Sequence, residues 1–193
     1  DEMNMHNPQE EESVAELLNL AAVPRQIISP ASNKSIVGIF QDSLLGCYRF
    51  TRENINFSTR QAMNLLMAFD KVDVSLFKNS QAIISSFNLL SQILPPMSSK
   101  FSNKSFDEDK ENKKSSNNMI EVVNGDYKRG QMDVTVLGSM SKGFIQSIFN
   151  DFGFQASADF IDNLQNIVTE YMKLSAYSVG ISDLIANKET NDK

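Results

Sequence analysis

The side chains best suited to catalysis or metal binding lie in two short polar segments of the chain. Asp1 and Glu2 come shortly before the only histidine, His6, and the pair Gln41-Asp42 follows an apolar run. Carboxylate oxygens are ligands that suit Mg²⁺, a hard cation with octahedral geometry. Taken alone, Asp1 is a carboxylate on a terminus that frays, and His6 is a surface imidazole. Spacing by itself therefore predicts no metal site.

Other common catalytic arrangements are excluded by the residues that the sequence lacks. One cysteine, Cys47, and one histidine cannot form a disulfide framework or a Cys/His zinc cage. No stretch reads G-x-x-x-x-G-K-[ST], the loop that cradles phosphates, and no Ser/His/Asp cluster is present. The acidic residues gather at helix starts and in one loop, which disfavours a glycosidase-like carboxylate pair. These residues alone favour a non-enzymatic module, an acidic α/β domain that docks protein partners.

The size and charge of the chain restrict its class further. Its 193 residues suffice for one sizeable domain or two small ones. No apolar run approaches the roughly 20 residues of a membrane span, and the first residues lack a secretory signal. The net charge of −6 argues against a stand-alone nucleic-acid binder. We expect an intracellular, reducing compartment, and the lack of an initiating Met suggests a processed product or an excised fragment.

The elements that must position these residues begin with an amphipathic helix. Ser13 and Glu16 fit a capping box. One buried stripe is expected on this helix, formed by Val14, Leu17, Leu18 and Ala21. The next stretch predicts a turn, a buried strand over 36–40 and a short helix. Gln41-Asp42 lies where that strand ends, and we expect a buried polar pair that satisfies local backbone groups.

The middle of the chain predicts two more helices, a loop and a hairpin. Ser58-x-x-Gln61 fits a second capping box, and a helical pattern over 80–93 stops at two prolines. Residues 98–118 are rich in serine, asparagine and charge, so we expect a disordered, mobile insertion. Asn124-Gly125 between two β-rich runs predicts a hairpin over 119–133.

The last third of the chain predicts two helices. The first is capped by Ser141 and ends before Gly153, and the second carries apolar residues at helical spacing over about 18 residues. The predicted fold class is mixed α+β, with small sheets and a β-hairpin packed by helices. One sheet is expected to combine 25–29, 36–40 and the hairpin.

Several separated motifs of this chain resemble one protein family. Residues 29–46 read S-P-x-x-N-K-x-x-x-G-x-x-Q-D-x-L-L-G, and the start reads D-E-M-x-x-H-x-P. Asn124-Gly125 is followed five residues later by Gly130, and S-x-G-I-x-D stands at 178–183. In this order they resemble the largest subunit of multisubunit DNA-directed RNA polymerases. The chain departs from the family pattern at Asn7, Ala176 and Tyr177.

The resemblance implies a role for each candidate site residue. Asp1 corresponds to the third aspartate of the catalytic loop and is expected to bind Mg²⁺, with two aspartates placed upstream. His6 is expected to brace this loop, and Gln41 and Asp42 are candidates for the channel wall or its scaffold. The implied divisions are the tail of the catalytic loop and a capped helix over 1–24, a pore domain over 25–140 and the start of a helical funnel domain over 141–193.

The resemblance also implies an activity, partners and a location. The whole enzyme would extend RNA on a DNA template by nucleotidyl transfer from NTPs, while this chain alone would be inert. The implied partners are the other polymerase subunits, notably the second-largest, together with DNA, RNA, NTPs and a transcript-cleavage factor, but no membrane. The expected location is the nucleus, or a viral factory or virion in the host cytoplasm if the source is viral.

Overall fold

The computed structural model describes residues 4–78, 82–108, 116–138, 142–187 and 190. Short strands and helices alternate along the chain, which confirms the predicted mixed α+β class. The α-helices are α1 (Glu11–Glu16), α2 (Gln41–Phe50), α3 (Thr59–Leu65), α4 (Ser86–Ile93), α5 (Val134–Leu137), α6 (Phe144–Ser175) and α7 (Ile181–Leu184). The strands are β1 (Ile28–Ser29), β2 (Lys34–Ser35), β3 (Asn56–Ser58), β4 (Ile83–Ser85), β5 (Ser99–Ser102), β6 (Met119–Val123) and β7 (Asp126–Arg129).

Three small antiparallel sheets occupy the described part of the chain, which agrees with the predicted small sheets. β1 pairs with β2, β3 pairs with β4, and the third sheet has the order β5-β6-β7. Phe57 lies opposite Ile84 in the second sheet, and Lys100 lies opposite Glu121 in the third. The expected sheet of 25–29, 36–40 and the hairpin does not form, because β1 pairs with β2 and the hairpin pairs with β5.

Residues 36–40 form no strand, so that prediction is also wrong. The Ile39 N–H donates to the carbonyl of Leu137, at the end of α5, over 3.0 Å. A Cβ on Gly38 would stand 3.1 Å from the carbonyl carbon of Gly138. The segment therefore packs against a helix end instead of a neighbouring strand, and Ile36 is left exposed.

The predicted hairpin is confirmed in the third sheet. β6 and β7 are joined by Asn124 and Gly125, with φ of 51° and 83°. Two central residues with positive φ define the type I′ turn that matches the twist of paired strands. Gly130 has φ of 108°, and a Cβ there would lie 2.3 Å from the Cα of Ile120, so only glycine fits.

The core is arranged around α6. The helix packs against α2, α3 and α4, and its buried face includes Phe160, Leu164 and Val168. Tyr171 makes edge contacts with the rings of Phe50 and Phe57, at 5.1 and 5.9 Å between centroids. No helix in the described ranges is both long and apolar enough to cross a membrane.

α6 is interrupted where the sequence predicted a helix end. Gly153 has φ of 88° and ψ of 177°, values that lie outside the helical range. Two helical stretches therefore meet at a kink at this glycine, which confirms the predicted helix end and the second helix beyond it. Ser141, predicted to cap the first part, lies outside the described residues, as does the predicted domain boundary at 140/141.

The N-terminal helix differs from its prediction in its start and in its burial. α1 begins at Glu11, with Glu10 as its N-cap, so Ser13 lies inside the helix and the predicted capping box with Glu16 is wrong. A π-helical turn, Leu17–Ala21, continues α1. The apolar residues expected in a buried stripe are exposed. The reason is that α1 packs mainly against the π-helical turn that follows it and not against the core. In contrast, the capping box of Ser58 and Gln61 is confirmed.

Two strands lie where the sequence predicted helix or disorder. β4 occupies the start of the helix predicted over 80–93. β5 lies within the segment 98–118, predicted to be disordered, and its Phe101 ring is 4.7 Å from that of Phe144. Residues 99–102 are ordered because pairing with β6 and this ring contact stabilise them, so the prediction is wrong there. Residues 109–115 lie outside the described residues.

Candidate functional site

The described residues provide no magnesium cage by themselves. Asp1, the predicted metal ligand, lies outside the described residues. Within the described part of the chain, no group of three or more His, Cys, Asp or Glu side chains could hold a metal ion. Mg²⁺ gives up its waters reluctantly and needs several oxygen ligands. The described residues therefore supply no such site, and the assignment of Asp1 as a magnesium ligand stays a prediction.

His6 lies in a different region from Gln41 and Asp42. Its exposed side chain borders a cleft of about 360 Å³ beside the N-terminal helix. The other lining residues are Ser13, Glu16, Leu17, Leu20 and Ala21. The structure therefore places His6 against the helix that follows it, and the expected bracing of a catalytic loop stays a prediction.

Gln41 and Asp42 form the first turn of α2. Gln41 has φ of 51°, and Phe40 precedes it as an N-cap without a side-chain hydrogen bond. Both polar side chains are exposed, so the predicted buried pair is wrong. The reason is that α2 begins at this point, which turns the pair outward and leaves its carboxylate near the positive end of the helix dipole.

A shallow cleft adjoins this first turn. Asp42 and Ser43 line it from α2, and residues of α6 line its other side in a volume of about 320 Å³. The Gln165 side-chain amide donates to the Ser43 hydroxyl over 2.6 Å. Lys173, also in the cleft, is paired with Glu170. The cleft is polar only at its edge, and it holds no described pair of nucleophile and base.

The position of α2 is set by Gly46, the glycine that ends the Q-D-x-L-L-G motif. A Cβ at this residue would lie 2.3 Å from Cγ1 of Val168 and 3.0 Å from Cγ of Met172. Only a residue without a side chain allows α2 to approach α6 this closely. The glycine therefore has a packing function, which fixes the distance between the first turn of α2 and α6.

The other end of α2 is fixed by buried hydrogen bonds. The Thr51 hydroxyl donates to the carbonyl of Cys47 over 2.8 Å and accepts the Met132 N–H over 2.9 Å. The Gln131 side-chain amide donates to the carbonyl of Tyr48 over 2.9 Å. Burial raises the pKa of the Cys47 thiol well above its ordinary value, which keeps it protonated and poorly nucleophilic. This end of the helix is structural.

Arg49 connects α2 to the segment that leaves α6. Its guanidinium donates to the carbonyl of Ala176 and lies 5.8 Å from the centroid of the Tyr177 ring. Ala176 has φ of 46°, so the backbone turns at the residue that Arg49 holds. The Gly180 N–H then donates to the Asp183 carboxylate over 2.8 Å at the start of α7. Arg49 thus connects α2 to the two residues that directly precede the 178–183 motif.

The sequence located α2 but missed the residues that hold it. Gly46 carried a usable signal, because a glycine inside a helical pattern destabilises the helix by about 1 kcal/mol relative to alanine and so suggests another role. Arg49, Thr51 and Gln131 carried none, since their partners lie more than 80 positions away in the sequence. The arrangement as a whole fixes the polar start of α2 beside α6.

Comparison with known proteins gives a family match and two relatives of similar sequence. The sequence matches the family described as RNA polymerase Rpb1, domain 3, over residues 26–184. It is 26% identical over 192 residues to each of two relatives from Trypanosoma brucei brucei, the DNA-directed RNA polymerase II subunits RPB1-A and RPB1-B. Each comparison covers 98% of this chain and 11% of the relative. The chain thus spans about a tenth of the length of the curated relatives it matches.

Proposed function

Because this chain belongs to the family RNA polymerase Rpb1, domain 3, we propose that it serves template-directed RNA synthesis within the largest subunit of a DNA-directed RNA polymerase. The observation that carries the proposal is the family match over residues 26–184, which includes α2, the hairpin and α6. The similarity to RNA polymerase II subunits over nearly the whole chain supports it. The proposed reaction is nucleotidyl transfer from NTPs.

Within this enzyme, the chain forms part of the wall of the active site and of the secondary channel. The exposure of Gln41 and Asp42 supports this role, because their side chains are free to face a channel. Gly46 and Arg49 support it indirectly, since they hold α2 at a fixed distance from α6 and the segment beyond it. In this proposal, the helix is a positioning element and the exposed polar pair is its working surface.

Asp1 is proposed as a ligand of the catalytic Mg²⁺, together with two aspartates that the family resemblance places upstream. When bound, the ion stabilises negative charge on the attacking and leaving oxygens. One carboxylate alone cannot hold Mg²⁺ usefully, so the isolated chain is expected to be inactive. His6 is proposed to brace the segment between Asp1 and α1.

The proposed partners follow from the same role. They are the other polymerase subunits, notably the second-largest, with DNA template, RNA, NTPs and a transcript-cleavage factor. Similarity to RNA polymerase II subunits supports a nuclear location. The acidic net charge of −6 is consistent with a piece that relies on other subunits for contacts with nucleic acid.

The test is Asp1→Ala in the assembled polymerase, measured by extension of an RNA primer on a DNA template. We expect synthesis to be abolished while template binding is retained, because phosphate contacts elsewhere supply that affinity. Asp70→Ala, which removes an exposed carboxylate from a loop, is the matched control and should extend RNA normally. Normal elongation by the Asp1→Ala enzyme would refute the assignment.

A further inference from the structure

The turn that joins β6 to β7 carries a chemically reactive pair of residues. Asn124-Gly125 is the only Asn-Gly pair in the sequence. In such a pair, the backbone nitrogen of the glycine can attack the amide carbon of the asparagine side chain, because glycine has no side chain to hinder the approach. Asn124 is exposed to solvent, whereas Gly125 is buried. Whether the pair reacts therefore depends on what surrounds the Gly125 nitrogen.

The reaction is a deamidation that needs only water. Hydroxide removes the amide proton of Gly125, and the nitrogen forms a bond to Cγ of Asn124. The Cγ–Nδ2 bond then breaks, and the departing nitrogen takes up a proton and leaves as ammonia. Water opens the resulting five-membered succinimide ring on either side. One opening gives aspartate, and the other gives isoaspartate, in which the backbone runs through Cβ and gains one carbon atom.

The folded chain withholds the attacking nitrogen. The Gly125 N–H donates to the carbonyl of Met97 over 2.8 Å, and the Asn124 N–H donates to the Ser98 hydroxyl over 2.9 Å. A Cβ on Gly125 would stand 3.1 Å from the carbonyl oxygen of Pro95. Residues 95–98 therefore form a strap that lies across the turn. Breaking a buried hydrogen bond is costly, so the strap opposes both the loss of the Gly125 proton and the movement of its nitrogen.

The geometry of the turn blocks ring closure independently. The φ angles of Asn124 and Gly125 are 51° and 83°, as in a type I′ turn. The ring closes only when Cβ of Asn124 and the nitrogen of Gly125 are eclipsed about the Cα–C bond. A type I′ turn is the mirror image of type I, with ψ of about +30° at its first central residue, and this angle places the two atoms nearly opposite each other. Deamidation therefore requires the turn to unwind.

We propose that Asn124 is a deamidation site, which the strap 95–98 keeps closed in the folded chain and which opens when the hairpin unfolds. Isoaspartate adds a backbone atom to a two-residue loop, and loop length fixes the turn type and the strand register. A chain that has formed isoaspartate therefore cannot restore this turn, so a reversible opening becomes permanent. The proposal is independent of the proposed function, because all the residues that it uses are described in this chain.

The first test compares deamidation of the 193-residue chain in buffer and in urea, at the same mildly alkaline pH and the same temperature. Proteolysis followed by mass spectrometry measures aspartate and isoaspartate formed from Asn124. Because opening precedes reaction, the rate follows the fraction of chains in which the turn is open. We expect the folded chain to react at least about tenfold more slowly than the unfolded chain. A smaller difference would overturn the proposal.

Two other asparagines with positive φ serve as internal controls. Asn33 and Asn54 have φ of 50° and 68°, and they precede lysine and isoleucine. The side chain of the following residue hinders attack by its nitrogen, so both asparagines should stay intact in urea while Asn124 reacts. Deamidation of these residues at the rate of Asn124 would show that the glycine has no special role, and the proposal would fail.

Ser98→Ala tests the strap, because it removes the hydroxyl that accepts the Asn124 N–H. The loss of one hydrogen bond should raise the rate in buffer by about two- to tenfold, without changing the rate in urea. Ser102→Ala is the matched control, since Ser102 is an exposed serine at the far end of β5, and it should leave both rates unchanged. If Ser98→Ala reacts in buffer as slowly as the original chain, the strap does not control the site.

The last measurement concerns refolding. After reaction in urea, the isoaspartate fraction is separated by chromatography, the urea is removed, and amide exchange is followed over residues 119–129. We expect faster exchange than in the original chain, because the turn cannot form. Asn124→Asp gains the same charge without the added backbone atom, and it should regain the original exchange rates. Original exchange rates in the isoaspartate fraction would refute the permanent effect of the modification.

Discussion

Substitution of Gly46 by alanine tests the close approach of α2 to α6. Two effects oppose each other. Alanine favours a helix over glycine by about 1 kcal/mol. The added Cβ, however, would stand 2.3 Å from Cγ1 of Val168, a side chain that is itself fully buried in the core. Overpacking of this kind costs about 1–3 kcal/mol, and so short a contact belongs at the upper end of that range.

The expected net effect of Gly46→Ala is a loss of about 2 kcal/mol in the free energy of unfolding. For a chain of this length, that corresponds to a decrease of roughly 4–8 °C in Tm. Urea denaturation of the 193-residue chain measures the free energy directly. The sign of the change is decisive, because helix propensity alone predicts that the variant is more stable.

A double-mutant cycle with Val168→Ala isolates the contact. Truncating Val168 removes the methyl group that the new Cβ would meet. Gly46→Ala should therefore cost less in the Val168→Ala background, with a coupling energy of about 1 kcal/mol or more. A Gly46→Ala protein as stable as the original, or a coupling energy near zero, would refute the argument that glycine is needed for helix packing.

Two further predictions concern surface interactions. Arg49→Ala and Arg49→Lys should both speed amide exchange over residues 176–184, because lysine keeps the charge but lacks the planar group that bonds Ala176 and stacks on Tyr177; unchanged exchange by mass spectrometry would contradict this. Lys100, with a smaller contribution from Arg129, holds the pKa of Glu121 below its usual value of 4.5. The stabilisation that the ionised Glu121 carboxylate contributes is therefore present at neutral pH, and it is lost as the pH falls through the lowered pKa of Glu121. Glu121→Gln should flatten the acid side of the stability curve slightly, and an identical curve for both proteins in low salt would refute the effect.

Local signals in the sequence predicted the elements that depend on local chemistry. Asn124-Gly125 predicted the hairpin because positive φ at both residues selects one turn type. Ser58 and Gln61 predicted a cap because both hydrogen bonds close within four residues. The apolar spacing after Gly153 predicted the buried face of the second part of α6, which includes Phe160, Leu164 and Val168.

The failures arose where a segment depends on distant residues. β5 is ordered by pairing with β6, across the low-complexity segment that masked it. Residues 36–40 have strand-like composition but bond to the end of α5. α1 has an amphipathic pattern that correctly predicts a helix, yet the pattern cannot say whether the covering surface belongs to the same chain.

The features of the candidate site that depend on local sequence were also predicted, and those that depend on distant residues were not. The family resemblance is confirmed by the match over residues 26–184, and the stretch that contains the motif at 29–46 correctly predicted the short helix α2. The expected burial of Gln41 and Asp42 was wrong because the strand assumed before them does not form. The bonds that hold Thr51 and Arg49 could not be predicted, since residues separated by 81 and 127 positions leave no periodic signal.

The contact between α2 and α6 has a consequence for synthesis of the chain on the ribosome. Ser43 and Gln165 are separated by 122 positions, so α2 leaves the ribosome long before the helix that covers it. At about 5–20 residues per second, the delay is on the order of 6–25 s. During this interval Cys47 and Phe50, both buried in the folded protein, have no partner on α6. The nascent chain therefore exposes a core face for seconds, and we expect chaperones to bind this helix during translation.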